Sequence, residues 1–596
     1  QFFPIQGTLV YCDNHFGTFL FYALFRFSGL SRVGAFQAWI IFALSADTAS
    51  LLFLLRRLGV HSLVACPTAF FGTSSSMLLF KMGHPQVLPF FPFVLALSFF
   101  ISFLQTADVK QLCWAIAFTA YQFLCFLYDG YFSILIFGPL LIIAILIMLN
   151  RRFWCDFSVS LHQHWRLVGA VSALAVGLTV LNLYPYAKFS AVAGTRSMQE
   201  LINLAPNLGA WFSSSSFSLF YHAQRHYKEA ANIGENTLFD GWMIWFLITA
   251  AIVVTIRVRK RKDLRLASVL VLTSLLEIAL ITTWHGQRGN AYLWLAARIE
   301  MIRAFRGFTR IAYLLIIVET VAGALLLNYW FHCAHARIGK IAAVVVAFAL
   351  PVDGIATGQA SYPKRAARKR GYALAETWRR AGGKEILIFA PGYTNQPASF
   401  VNVDCWQTAM QLNRVTVNGY SGNSPPDYHI FLQIPVLQNA NNLIKQLRLD
   451  PAKYSLVTDW AQESKKELGI MSYPFQIKGA VIPRTATVHL SMRPLEQISL
   501  PVTLDNLEHG DLHCDSMRVF LSYRIYDSHG RPVMKPESLR TPIKLLRRGQ
   551  TNDIWMRLQA PATLGDYEIR LSMVQESVAW WADLGFSGTT ITLHVE

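Results

Sequence analysis

Asp13 heads the side chains whose type and setting could do chemistry. It stands in Tyr11-Cys12-Asp13-Asn14-His15, a cluster of acid, amide and imidazole just ahead of a long series of apolar segments. Other polar groups recur at the junctions between those segments. They are His84 and Gln86 in Gly83-His84-Pro85-Gln86, Asp129 between Tyr128 and Gly130, and Glu235 with Asp240 in the stretch 234–241. Arg288, Arg298, Glu300, Arg303, Arg306 and Arg310 follow between 285 and 310. Arg303, Arg306 and Arg310 are spaced by three and four, so on a helix they share one face. A carboxylate is what general-base attack on an acceptor hydroxyl requires. A departing phosphate or pyrophosphate requires cations or a metal. Asp13 and Glu235 are the candidate catalytic acids. His15, His84, Gln86, Asp129, Arg303, Arg306 and Arg310 are the candidate substrate-binding groups. The plainer alternatives are a solvated loop acid at Asp13, an interfacial turn at His84 and Gln86, and lipid headgroup contacts for the arginines.

The elements that must position these groups are membrane helices. The chain has 596 residues, 53% of them hydrophobic and only 15% charged, with a formal net charge of +18. That composition suits a polytopic membrane protein with soluble parts attached. The basic residues fall largely in short loops, which is a topology signal and not a nucleic-acid footprint. A span takes about 20 mostly apolar residues. Candidates are 35–55, 62–82, 87–104, 112–127, 131–149, 167–184, 242–256, 266–284, 309–331 and 338–355, about ten in all. The spans 112–127 and 131–149 read as joined by a tight turn at Tyr128-Asp129-Gly130. If every candidate spans, Arg56-Arg57, Arg151-Arg152, the basic block 257–262, Arg337 and Lys340 share one side, which the charge rule makes cytoplasmic. Residues 1–30, an outer loop with an interfacial helix over 16–30, then lie extracytoplasmically with the long loop 185–241 and all that follows about 358. This orientation calls for a further helix upstream of Gln1.

Composition changes near Tyr362. The run 364–370 is basic, although this topology places it outside. A helix at 372–381, strands at 385–390, 415–418 and 454–458, and a helix at 443–447 predict an α/β subdomain over 358–484. The turn formers of 418–422 either touch sugar or simply turn the chain, and turns are favoured. Alternating strands at 498–504, 518–526, 554–558, 567–574 and 589–595 predict a β-sandwich over 485–596. Trp580-Trp581 is a carbohydrate platform or core, with core favoured. Among eight cysteines there is no CxxC pair. Cys66, Cys113 and Cys125 read as packing residues. A disulfide between Cys405 and Cys514 is left open.

The membrane part, 31–357, resembles the GT-C membrane glycosyltransferases, and among them the bacterial YfhO-like and mannosyltransferase-like branch. The resemblance rests on 31–59 with its Leu-Arg-Arg-Leu-Gly end, Gly83-His84-Pro85-Gln86, 234–241, 303–310 and 417–428. It implies a polytopic helical enzyme of the bacterial inner membrane with extracytoplasmic C-terminal domains. Such an enzyme moves a sugar from a polyprenyl-phosphate-linked donor to a glycan, lipid or protein acceptor. It also implies an essential acid in the first outer loop, where Asp13 is the only acid of residues 1–30. His84 and Gln86 would then shape the sugar site, and Arg306 with Arg310 would hold the carrier phosphate. No DxD pair is present; a divalent cation, Mg or Mn, stays open. Two rivals remain. One is a transporter or flippase of lipid-linked glycans, for which Asp47, Glu277 and Glu319 inside spans would speak. The other is a non-enzymatic assembly protein that displays the sandwich.

Overall fold

Apolar stretches up to residue 361 fold as helices, and the polar stretches after it as an α/β layer and two sheets. The computed structural model describes the chain outside 194–195, 225–234, 258–261, 285–288, 334–336, 359–362, 393, 395, 462–465, 471–480, 508–511, 513, 515–518, 534–538, 544, 576–578 and 585–588. Gly234, Arg288 and the middle of the basic block 257–262 therefore lie outside the described residues. The chain divides into two units. One is Cys12–Ser361, and the other joins Gln1–Tyr11 to Tyr362–Glu596.

The first unit begins with α1 (Phe16–Phe27), α2 (Arg32–Arg57), α3 (Ser62–Ser74), α4 (Ser76–Phe80) and α5 (Phe91–Thr106). It continues with α6 (Val109–Cys125), α7 (Leu127–Ile147), α8 (Arg151–Ala193), α9 (Met198–Leu204) and α10 (Trp242–Arg257). It closes with α11 (Lys262–Ile281), α12 (Ala291–Arg298), α13 (Ala312–Cys333) and α14 (Arg337–Asp353). Short polar side chains start several of these helices by taking a free first-turn amide. Ser31 accepts from Gly34 N at 3.1 Å, Asp108 from Lys110 N at 2.9 Å, and Asn290 from Leu293 N at 2.9 Å. Gln122 of α6 does the same across helices. It accepts from Phe93 N and donates to Pro89 O, each at 3.0 Å, which satisfies the start of α5 in an apolar interior.

Among the described residues, seven segments are long and apolar enough to cross a membrane. They are Arg32–Arg57, Ser62–Phe80, Pro85–Thr106, Leu127–Ile147, Arg151–Ser190, Leu264–Ile281 and Phe308–Cys333. The expected spans at 112–127, 242–256 and 338–355 are the shorter helices α6, α10 and α14, of 17, 16 and 17 residues. α13 is apolar on every side and buried from Ala312 to Leu327, with α3, α10, α11 and α14 packed around it. α8 is the opposite case, with long apolar side chains such as Leu174, Val176 and Leu181 exposed.

Three expectations change here. Tyr128-Asp129-Gly130 is not a turn but the first turn of α7, because the break falls at Phe126, whose backbone is extended. Gly130 belongs in that helix for packing: a side chain there would overlap the Phe123 ring of α6. The loop expected from 185 starts later, since α8 continues past Pro185 to Ala193. The span 62–82 is broken at Ser75, where extended backbone separates α3 from α4.

In the second unit, α15 (Lys364–Arg380), α16 (Ala398–Gln411), α17 (His429–Gln433) and α18 (Leu437–Gln446) surround three parallel strands. These are β1 (Ile386–Phe389), β2 (Val415–Thr416) and β3 (Tyr454–Val457), in the order β2-β1-β3. Asn418 is one of the buried groups of this layer. The Asn418 side chain accepts from Phe389 N and donates to Phe389 O, each at 2.9 Å. The turn after it meets the start of the chain. Phe3 N donates to Thr416 O at 3.0 Å, Tyr428 Oη to Phe3 O at 2.6 Å, and Ser421 Oγ to Tyr11 O at 2.6 Å. Residues 1–11 are thus part of this unit. Gly419 carries no side chain because a Cβ would overlap the fully buried Phe2 ring. Gly419→Ala is expected to lower unfolding stability by about 1–3 kcal/mol. Most of that loss should disappear in a Phe2→Ala background, as read by denaturant or thermal melts.

The rest of the unit is β4 (Val481–Arg484), β5 (His489–Met492), β6 (Gln497–Asn506), β7 (Val519–Asp527), β8 (Thr541–Pro542), β9 (Thr551–Gln559), β10 (Gly565–Gln575), β11 (Ala579–Trp580) and β12 (Thr590–Val595). Strands β5-β12-β10-β7-β8, with β11 on β10, form one sheet, and β4-β6-β9 the other. Inward residues of both sheets, among them Leu500, Val502, Met556, Leu521, Ile569 and Leu593, share one core. The sheet-rich C-terminal region expected from the sequence is thus present. Trp581 is buried in that core, while Trp580 stands between the guanidinium groups of Arg524 and Arg540. Cys405 and Cys514 are both buried free thiols, so the open disulfide is not formed. Cys66, expected to pack, is exposed; Cys113 and Cys125 are buried.

Candidate active site

The residues before α1 are held by the end of α8. Tyr186 Oη donates to Cys12 O at 2.9 Å, and Asn14 Nδ2 to Asn182 Oδ1 at 2.8 Å. Asn182 in turn donates to Phe123 O of α6 at 2.8 Å. Asp13 sits between these two anchors, half-buried. The Gln86 side chain lies against its carboxylate, and Arg310, Arg306 and Arg196 are the cations around it. Burial raises the Asp13 pKa above the usual carboxylate range, against the pull of those three arginines and Gln86. Among the described residues no cation stands within ion-pair distance of Asp13.

The other acids are committed. Glu235, just before α10, accepts from Arg310 Nη2 at 2.9 Å and from Thr309 Oγ1 at 3.3 Å, with Lys81 Nζ at 3.5 Å. Burial alone would raise its pKa, but Arg310 and Lys81 outweigh burial and hold it down at about 2. An acid held ionised by two buried cations is a poor proton acceptor. Glu235, expected as a second catalytic acid, is held in these ion pairs. Glu200, at the start of α9, pairs with Arg306 and, at 3.3 Å, with Arg196.

The arginines do not share a helix face. Residues Glu300–Ala304 and Phe308–Ile311 form two short 3-10 turns, and the chain between them is not helical. Arg303 turns back to donate to Ala296 O at 3.0 Å and Ala297 O at 3.4 Å, capping the end of α12. Two of the donors of Arg303, expected at a phosphate, thus serve orphan carbonyls. Arg306 and Arg310 do reach the Asp13 region. Aromatic packing fixes the segment that carries them. Phe305 stacks on Tyr131 at 4.2 Å, Phe308 stacks on Tyr292 at 4.3 Å, and Tyr292 Oη donates to Phe305 O at 3.2 Å. Arg310 also lies over the Tyr128 ring, 5.4 Å from its centroid.

Gln86 joins the site, and His84 stands exposed at its edge. Desolvation and then Arg310 and Lys81 keep the His84 pKa below its ordinary value, so the ring is neutral at pH 7. His15 does not join it. Its ring packs edge-on against Trp39 of α2 at 5.5 Å, and burial pushes its pKa down to about 4. Asp129 is 1% exposed, within the first turn of α7. Asp240 is away from the site. Burial, against Ser75 and the Met77 amide, raises the Asp240 pKa to about 7.

The sequence reading missed Lys81, Arg196, Glu200, Tyr128 and Tyr186. Lys81 was absorbed into an apolar window, yet a lysine one turn before Gly-His-Pro was a signal. Arg196 and Glu200 lie four apart, the spacing of a helical ion pair, inside what read as a loop.

Chemically, the site offers one carboxylate able to exchange a proton, beside a group of guanidiniums able to hold a phosphate. The described neighbours of Asp13 include three arginines, which do not themselves ligate a divalent cation, and an amide. Among the described residues no three His, Cys, Asp or Glu side chains come together to hold a metal. No protein-family model matches the chain, and no curated protein matches it either.

Proposed function

We propose that this protein is a membrane glycosyltransferase. It moves a sugar from a polyprenyl-phosphate-linked donor to a hydroxyl of an extracytoplasmic glycan, lipid or protein acceptor, in the bacterial inner membrane. The observation that carries this reading is Asp13, a carboxylate without an ion pair among the described residues, set among Arg196, Arg306 and Arg310. Asp13 takes the proton of the acceptor hydroxyl. The new bond from that oxygen to the anomeric carbon forms as the bond to the carrier phosphate breaks, which inverts the anomeric centre. Arg306 and Arg310 hold the charge that grows on the departing phosphate. Gln86 orients Asp13, and His84 contacts the sugar at the edge.

The test is transfer in proteoliposomes holding the full chain, labelled polyprenyl-phosphate sugar and envelope extract as acceptor. Label should move to acceptor only when the protein is present; no movement with any donor sugar removes the reading. Arg306→Ala should raise the donor KM about tenfold, the loss of one charge-assisted contact. An effect on kcat alone would take Arg306 away from the carrier.

A transporter of lipid-linked glycans is the second reading, favoured by buried carboxyls inside spans. Asp47 of α2 is fully buried, with the Phe90 and Phe91 amides facing its carboxylate. Glu319 of α13 bonds to Ser274 of α11, also out of water. Ionisable groups at such depth commonly serve a translocation path. Counterflow of labelled lipid-linked sugar without transfer would decide for it.

A further inference from the structure

Helix α15 has two faces of different chemistry. Ala373, Leu374 and Trp378 are buried in the core of the α/β layer, and Arg370 is buried in an ion pair with Asp404. Arg365, Arg368, Lys369, Tyr372, Arg379 and Arg380 are exposed. At 3.6 residues per turn these six fall within roughly a third of the helix circumference. Two of the cations are neutralised, Lys369 by Glu467 and Arg380 by Glu376. Among the described residues Arg365, Arg368 and Arg379 have no ion pair, and Tyr372 stands between them 71% exposed.

The stripe also follows a membrane-type helix closely in sequence. α14 packs against α3 and α13, two of the helices able to cross one. Its remaining surface is apolar and uncovered, with Ile338, Ile341, Val345, Phe348 and Val352 exposed. Only residues 354–363 separate the end of α14 from the start of α15. Ten residues reach at most about 35 Å fully extended.

We infer that the exposed stripe of α15 rests on the anionic headgroup surface of the bilayer. Arg365, Arg368 and Arg379 contact lipid phosphates, and the Tyr372 ring enters the interface. The charges match an acidic phospholipid: guanidinium forks suit phosphate oxygens, and a polybasic segment beside a membrane helix gains from each further cation. Tyrosine, with an apolar ring and a polar tip, belongs at that depth. A stripe that was merely solvated would give the same contacts in phosphatidylcholine as in an acidic bilayer, which is how the two differ experimentally.

The test places a photoreactive benzoylphenylalanine at position 372 of the full chain, reconstituted in nanodiscs of phosphatidylcholine with or without phosphatidylglycerol. Irradiation and intact-mass spectrometry read lipid adducts. Several-fold more adduct is expected in the acidic discs, falling to the phosphatidylcholine level in high salt. The Arg365→Glu, Arg368→Glu, Arg379→Glu variant should lose the difference while its thermal transition stays unchanged, since all three side chains are exposed. Equal adduct in both discs, no adduct, or cross-linking to protein instead overturns the inference. The salt titration needs no variant and decides even if the triple variant folds poorly.

Discussion

Asp13→Asn is expected to lower kcat for sugar transfer by roughly 10²–10⁴-fold, the range that a positioned general base supplies. Donor KM should change little, because the arginines that hold the phosphate remain. The same substitution should leave stability intact. Asp13 has no ion pair to lose among the described residues, and burial already disfavours its charge. Lost turnover with an unchanged melt is therefore the signature of a reacting group. Lost turnover with a lowered melt would make Asp13 a structural acid, and wild-type turnover would remove it from the chemistry. The pH profile gives a second handle. A base works only when ionised, and burial raises the Asp13 pKa, so the acidic limb of kcat/KM should lie above the ordinary carboxylate range. Arg306 and Arg310 act on Asp13 in the opposite direction. Arg306→Ala removes one of those cations and should move the acidic limb higher still. A limb that moves lower would mean that another group is titrating.

The fold was legible where burial leaves a local period. Strands with one face in a core alternate, so β6, β7, β9, β10 and β12 were found within a few residues of their ends. Long apolar runs likewise marked the helices. The errors fall where local chemistry has two solutions. Tyr-Asp-Gly is turn-like in composition, but packing against Phe123 makes Gly130 the close-contact residue of a helix, and Asp129 goes inside with it. Pro185 reads as a stop, yet α8 passes through it. Side-chain destinations were the least legible. Arg303, Arg306 and Arg310 look alike in sequence, but one caps α12, one pairs with Glu200 and one with Glu235. Nothing local distinguishes them, because each partner comes from a distant part of the chain or from a backbone end created by folding. The docking of residues 1–11 on the turn after β2 is the same kind of fact. It spans more than 400 positions, and no periodicity carries it.

Glu235→Gln should be the most destabilising single change at the site, by about 3–5 kcal/mol. The reason is what it leaves behind. Glu235 is 7% exposed and is the carboxylate between Arg310 and Lys81, with Lys81 itself 4% exposed. Removing one charge strands the opposite charges in a low-dielectric setting, where the cost exceeds the net worth of the pair. Glutamine keeps the shape and can still accept from Thr309, so the loss measures charge. Linkage gives an independent figure. The Glu235 pKa is about 2 in the folded protein against 4.5 ordinarily, which corresponds to about 3 kcal/mol of stability. A depressed carboxyl contributes that stability above its unfolded pKa and loses it as pH falls through its folded one. Wild-type stability in detergent should therefore decline between about pH 4.5 and pH 2 by a component that Glu235→Gln lacks. The double variant Glu235→Gln, Arg310→Gln should recover part of the loss, because both ends of the interaction are then gone. A single variant as stable as wild type at pH 7, with an unchanged acid limb, would mean that Glu235 is not held between the two cations.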